Sequence, residues 1–167
     1  VTAIDYSSNA IALCRKTHRE RNLEFLEGDA LNIPFNDNSY DIVLNVESSH
    51  CYPDIPKFLL EVKRVLKPGG FFVWTDLYPE TMTQKYENVF NEAGLQKVKA
   101  YDITENVLRA LDNKAINDAK KEIIRNQIPF IIRNIIRSFS GIKDTDIYNS
   151  LKDGRTKYYY RLLKKEA

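Results

Sequence analysis

The stretch "FLLEVKRVLKPGGFFVWTDL" constrains the fold more than any other part of this chain. Phe58, Leu59, Val62, Val65 and Leu66 recur at the three-and-four spacing of a helix face, and Pro68-Gly69-Gly70 stops that helix sharply. The run that follows, "FFVWTDL", is apolar at successive rather than alternate positions, as in a strand covered on both faces. The same pattern occurs upstream. Val1 to Asp5 reads as a buried strand ending in an acid, followed by Ser7 and Ser8 as caps of an amphipathic helix. "NLEFLEGDA" is a short apolar run closed by Gly28 and Asp29, and Tyr40 to Val46 is a continuous apolar strand. Between them, "LNIPFNDNS" is loop chemistry. Strand and helix in this rhythm define an α/β chain with a mostly parallel sheet and helices on both faces.

The second half continues the alternation with longer helical stretches. "TMTQKYENVFNEAGL" predicts a helix closed by Gly94, "QKVKAYDI" a strand, and "TENVLRALDNKAINDAKKEIIRNQ" one or two helices after Thr104. "IPFIIRNIIRSF" places Ile128, Ile131, Ile132, Ile135, Ile136 and Phe139 on one broad face, with Pro129 breaking whatever helix precedes it. "DIYNSLKDG" is a short helix stopped by Gly154, and "TKYYYRLLKK" alternates as a final strand. No repeat or low-complexity linker divides the 167 residues, so a single domain over 1–167 is expected.

Composition narrows the partners. With 25 basic and 23 acidic residues the chain nets +2 and has no block of like charge, which argues against nucleic acid. Lys and Arg gather in the second half, where they suit an anionic substrate or a peripheral membrane contact. No run reaches the roughly 18 apolar residues of a membrane span, and no signal-peptide pattern opens the chain. Cys14 and Cys51 sit in apolar surroundings, read as small core residues of a protein in a reducing, cytoplasmic compartment. The two histidines, His18 and His50, make no metal-ligand spacing, so no metal is expected.

In doubly wound sheets, ligands bind outside the carboxyl ends of the strands. There this chain places Asp5, Gly28-Asp29-Ala30, Asn45-Val46-Glu47 and Asp76. A carboxylate at the second strand end suits a ribose diol, which can donate two charge-assisted hydrogen bonds, and Asp29 suits an exocyclic amine such as that of adenine. Either acid alone is as well explained by capping; together, at successive strand ends, they favour a nucleoside ligand.

On "VTAIDYS", "FLEGDALNIPFNDNSYDIVLNVESSHCY", "FLLEVKRVLKPGGFFVWTDL", "YDITENVLRALD" and "YYYRLLKK", the chain resembles the class I S-adenosylmethionine-dependent methyltransferases, closest to the branch of sterol, fatty-acid and phthiotriolone methyltransferases. The resemblance implies a Rossmann-like sheet whose last strand runs antiparallel between two others. It implies that Asp5 holds the ribose of S-adenosyl-L-methionine, that Gly28, Asp29 and Ala30 frame the adenine, and that Asn45, Val46 and Glu47 line the cofactor cleft. His50 is the expected catalytic base for a substrate hydroxyl, and Tyr52, Trp74 and Tyr78 the expected walls for an apolar acceptor under an isoleucine-rich cover. The family's first strand and Gly-x-Gly-x-Gly loop do not occur in the sequence. The expectation is therefore an N-terminally truncated methyltransferase domain, with that strand and loop upstream of Val1. The alternatives are a cofactor-free relative acting as an interaction module, or a C- or N-methyltransferase of a sterol or amine.

Overall fold

A computed structural model describes residues 1–166, with the side chains of all of these except Asn134, Ile135 and Phe139. The strand and helix alternation is present. β1 (Thr2–Asp5) leads into α1 (Ser8–Thr17), whose first turn is capped by the Ser7 hydroxyl accepting from the Ala10 N–H at 3.2 Å, and the chain returns to pair in parallel as β2 (Glu24–Glu27). A second sheet has the order β3 (Tyr40–Val46), β4 (Leu66–Pro79), β6 (Thr156–Lys164), β5 (Gln96–Asp102). β3 and β4 are parallel; β6 runs antiparallel between β4 and β5, the arrangement expected for the last strand.

α2 (Ile55–Val65) is the helix of the central crossover. Asp54 caps it by accepting from the Lys57 N–H at 2.9 Å, and Phe58, Leu59, Val62 and Val65 are buried beneath it. β4 begins at the next residue, so Pro68-Gly69-Gly70 lies inside the strand rather than in a separate turn. Gly70 is required there by space, because a Cβ would meet the Lys67 and Asp41 carbonyl oxygens at 2.9 and 3.0 Å. β4 buries one parity, with Phe72, Trp74, Asp76 and Tyr78 all inward against α2 and α3 (Thr83–Glu92). At the centre of this core Arg161 of β6 is 1% exposed, stacked 4.5 Å from the Phe90 ring and ion-paired with Glu87.

Two expectations are corrected. β3 is not covered on both faces: Ile42, Leu44 and Val46 are 61%, 66% and 52% exposed, because no described element packs on that side. Cys51 is exposed and Cys14 half-buried, so neither is a core residue; the apolar neighbours in sequence point elsewhere.

β1 and β3 do not pair with each other. Their facing edges, Val1 to Ile4 and Tyr40 to Val46, border a cleft of about 490 Å³ floored by Ile33, Phe35, Phe58 and Val65.

Beyond β5, α4 (Thr104–Leu111) and α5 (Lys114–Gln127) are separate helices, divided where the Asn113 side chain accepts from the Ala115 N–H at 2.9 Å. α5 ends two residues before Pro129, a short turn at Phe130–Ile132 follows, and α6 (Arg133–Phe139) and α7 (Asp146–Lys152) lead to β6. The expected isoleucine face is not packed away here, since Ile131 is 90% exposed and Ile132 and Ile136 are also exposed. The side chains of Ile135 and Phe139 lie outside the described residues.

Candidate active site

A short turn at Ser49–Cys51 follows β3 and carries His50 over the carboxyl end of β4. Register explains the meeting: Val46 is opposite Thr75, so the turn just after β3 comes level with Asp76 inside β4. Asp76 is 1% exposed and fully engaged. One carboxylate oxygen accepts from the Leu77 N–H at 2.8 Å and lies 2.7 Å from His50 Nδ1; the other accepts from the Ser49 hydroxyl at 2.6 Å and the His50 N–H at 3.0 Å. The Ser49 oxygen in turn accepts from Trp74 Nε1 at 2.8 Å.

A carboxylate can only accept, so Nδ1 of His50 carries the proton, and the lone pair of the neutral ring sits on Nε2. Nε2 has no hydrogen-bond partner among the described residues, and the side chain is 40% exposed, open to a substrate. The arrangement suits a general base, since a fixed carboxylate stands where positive charge on the ring would develop. Ser49 holds the carboxylate and the indole at once. Ser49→Ala is expected to destabilise the fold by about 1–3 kcal/mol, since it leaves a buried indole N–H and a carboxylate oxygen without partners; urea unfolding reads this directly, and a loss below about 0.5 kcal/mol would mean that water replaces the hydroxyl.

Glu47 adopts φ of +48°, uncommon for a residue with a side chain, and its N–H donates to the Thr75 carbonyl at 2.9 Å. The Tyr158 hydroxyl of β6 donates to the Glu47 carboxylate. Burial, then the hydrogen bond to Glu47 and the charges of Glu47 and Asp76, push the Tyr158 hydroxyl well above its ordinary range, keeping it a donor. Asn45 is 8% exposed; its amide donates to Ser48 Oγ at 2.8 Å and Tyr52 Oη at 3.2 Å, while its buried Oδ1 has no partner among the described residues. Asn45, Val46, Ser48 and Tyr52 border the cleft at this end, with Tyr52 edge-on to Phe58.

Asp5 ends β1 and Asp29 follows β2, its parallel partner. The Gly28 N–H donates to the Asp5 carbonyl at 3.0 Å. Asp5 accepts from the Ser7 N–H at 2.7 Å and Asp29 from the Leu31 N–H at 2.8 Å, the local turn roles weighed for them. Each keeps a second carboxylate oxygen without a partner among the described residues. Gly28 is confined by Pro34, 3.2 Å from where a Cβ would stand, and the half-buried Ala30 borders the cleft.

Two expected acceptor-site residues lie elsewhere. Trp74 and Tyr78 are 1% and 3% exposed and belong to the hydrophobic core, Tyr78 stacked between Tyr86 and Tyr159. Both are buried on the side of β4 that α2 and α3 cover. Asp76 was placed at a strand end by the sequence without a role, and Ser49 and Tyr158 were not singled out.

Sheet order, antiparallel last strand and a crevice at the carboxyl strand ends define a Rossmann-like fold of the methyltransferase type. Residues 1–74 match the family model described as a methyltransferase domain. It is similar to the probable phthiotriol/phenolphthiotriol dimycocerosates methyltransferase 2 of Mycobacterium ulcerans, 42% identical over 86% of the chain and 55% of that protein. A fatty-acid O-methyltransferase of Mycolicibacterium smegmatis is 36% identical over 94% of the chain and 56% of that protein. The chain thus spans a little over half the length of these curated relatives. Among solved structures, a phosphoethanolamine N-methyltransferase of Haemonchus contortus in complex with S-adenosylhomocysteine superposes with a TM-score of 0.80 at 18% identity, over 99% of this chain and 44% of that one. The [4+2]-cyclase SpnF superposes with a TM-score of 0.73 at 16% identity, over 99% of this chain and 66% of that one. A cyclase on this fold means that the site, rather than the fold, has to carry the reaction.

Proposed function

We propose that the chain serves S-adenosyl-L-methionine-dependent methyl transfer to a hydroxyl of an apolar small molecule or lipid, in a reducing, cytoplasmic compartment. The observation that carries this reading is the His50–Asp76 dyad, with Nε2 free at the carboxyl end of β3 and β4. The names of the curated relatives support an apolar acceptor. The residues present suit the cofactor's chemistry: Asp5 and Asp29 each have an unused carboxylate oxygen for hydroxyl or amine donors, and Asn45 Oδ1 is a buried acceptor in need of one. In this reading Asp5 holds the ribose, Gly28, Asp29 and Ala30 frame the adenine, and Asn45, Val46 and Glu47 line the cleft. The cofactor, when bound, supplies an electrophilic methyl group. His50 Nε2 accepts the proton of the attacking hydroxyl, Asp76 stabilises the resulting imidazolium, and Tyr52 supplies an apolar wall at the cleft.

Calorimetric titration with S-adenosylhomocysteine tests the reading. Micromolar binding, weakened at least tenfold by Asp5→Ala, is the expected result, because losing a charge-assisted bond to a diol is worth about 1.5–3 kcal/mol. The exposed apolar face of β3 favours the second reading, a cofactor-free interaction module. A folded chain that fails to bind S-adenosylhomocysteine would select that one.

A further inference from the structure

The seam between α5 and α6 collects positive charge that the crevice does not use. Lys121 and Arg125 stand one turn apart on α5, Arg133 and Arg137 one turn apart on α6, and with Ile124 and Ile142 they border a cleft of about 260 Å³. Residues 114–143 hold seven basic side chains against two acidic ones, in a chain whose total is only +2. Among the described residues no carboxylate lies within ion-pair distance of the four cations; Asp118 and Glu122 do not pair with them. Arg133 is held in place by donating from Nε to the Ile128 carbonyl at 2.8 Å, and no ion pair to its terminal nitrogens occurs among the described residues.

Beside this seam is an apolar tip. Phe130 and Ile131, on the turn joining the two helices, are 83% and 90% exposed, and Ile132 and Ile136 continue the surface. The Arg133 guanidinium lies 5.9 Å from the Phe130 ring centroid, so cation and tip are adjacent. Burying four like charges against a protein requires matching carboxylates one by one, and side chains this exposed offer no concave surface to a partner. An anionic bilayer meets both demands, since its phosphates are numerous and mobile and its acyl boundary accepts a protruding aromatic.

We propose that this face docks the chain on membranes containing anionic phospholipid, with Lys121, Arg125, Arg133 and Arg137 on headgroup phosphates and Phe130 and Ile131 in the acyl boundary. The inference is independent of the methyl-transfer reading and survives its failure.

Vesicle cosedimentation of the full chain tests it, comparing phosphatidylcholine vesicles with and without phosphatidylglycerol. The expected result is binding to the anionic vesicles that falls at least roughly tenfold on neutral ones, and by a similar factor for Arg133→Glu/Arg137→Glu and for Phe130→Ser/Ile131→Ser. All six side chains concerned are at the surface or partly so, and unchanged thermal unfolding of the variants separates docking from folding. Three results overturn the proposal. A folded chain that binds neither vesicle leaves the face to a protein partner. Equal binding to both vesicles removes the role of the cations. Binding that millimolar inorganic phosphate abolishes and that ignores Phe130→Ser/Ile131→Ser makes the seam a free-anion site.

Discussion

Replacing His50 by alanine is expected to lower the rate of methyl transfer roughly a hundredfold to ten-thousandfold, the usual range for a positioned general base, while S-adenosylhomocysteine binding stays close to that of the unaltered chain. The separation follows from geometry. Asp5 and Asp29, the acids proposed for the cofactor, are at the end of β1 and in the turn after β2, whereas His50 is fixed to β4 through two bonds to Asp76, one from its ring and one from its backbone. Asp76→Asn is the companion variant. It keeps the shape, but its amide can donate to Nδ1 and so favour the tautomer whose Nε2 carries the proton. The rate should therefore fall with His50 still in place. If single-turnover methylation proceeds unaltered in His50→Ala, the base is some other group, and the dyad is a structural tie between β3 and β4.

What the sequence discloses and what it hides divide along one line, local against long-range. Tyr40 to Val46, the α2 face and the cap at Ser7 are legible because they depend on neighbours within one turn. The role of Asp76 is not, because its partner is 26 residues away and only the parallel register of β3 on β4 brings them level. The same absence misplaces Trp74 and Tyr78. In "FFVWTDL" the apolar residues are consecutive, so parity cannot be read from the run, and the inward parity of 72, 74, 76 and 78 appears only when α2 and α3 cover one face. The exposed β3 face shows the converse: a strand that reads as doubly covered needs a second covering layer, and the described residues do not provide one.

The largest expected effect on stability comes from a residue that composition alone would put at the surface. Arg161 is opposite Trp74 in the register of β6 on β4, and its guanidinium is 1% exposed among Trp74, Phe90 and Tyr159. Glu87 reaches it with both carboxylate oxygens, one of them 3.3 Å from Nη1, and Arg161 Nε has no partner among the described residues. Glu87→Ala would strand a buried cation, at a cost of about 3–5 kcal/mol. The lower end applies, because Glu87 is 31% exposed and the ring faces share part of the charge. Removing both charges together, as Arg161→Met with Glu87→Gln, should cost less than Glu87→Ala alone, since packed apolar groups replace a desolvated pair at little loss. The hydrogen bond from Arg161 holds the Glu87 carboxyl below its ordinary range against the opposing effect of burial. A carboxyl depressed on folding stabilises the fold above its unfolded pKa, about 4.3, and that stabilisation is lost as pH falls through the lower folded value. Urea unfolding at pH 7 should therefore separate the unaltered chain from Glu87→Gln widely, and the gap should narrow progressively as the pH drops below about 4. A gap that does not change with pH would mean that Glu87 acts through packing and not through its charge, and that the aromatic rings alone accommodate the Arg161 guanidinium.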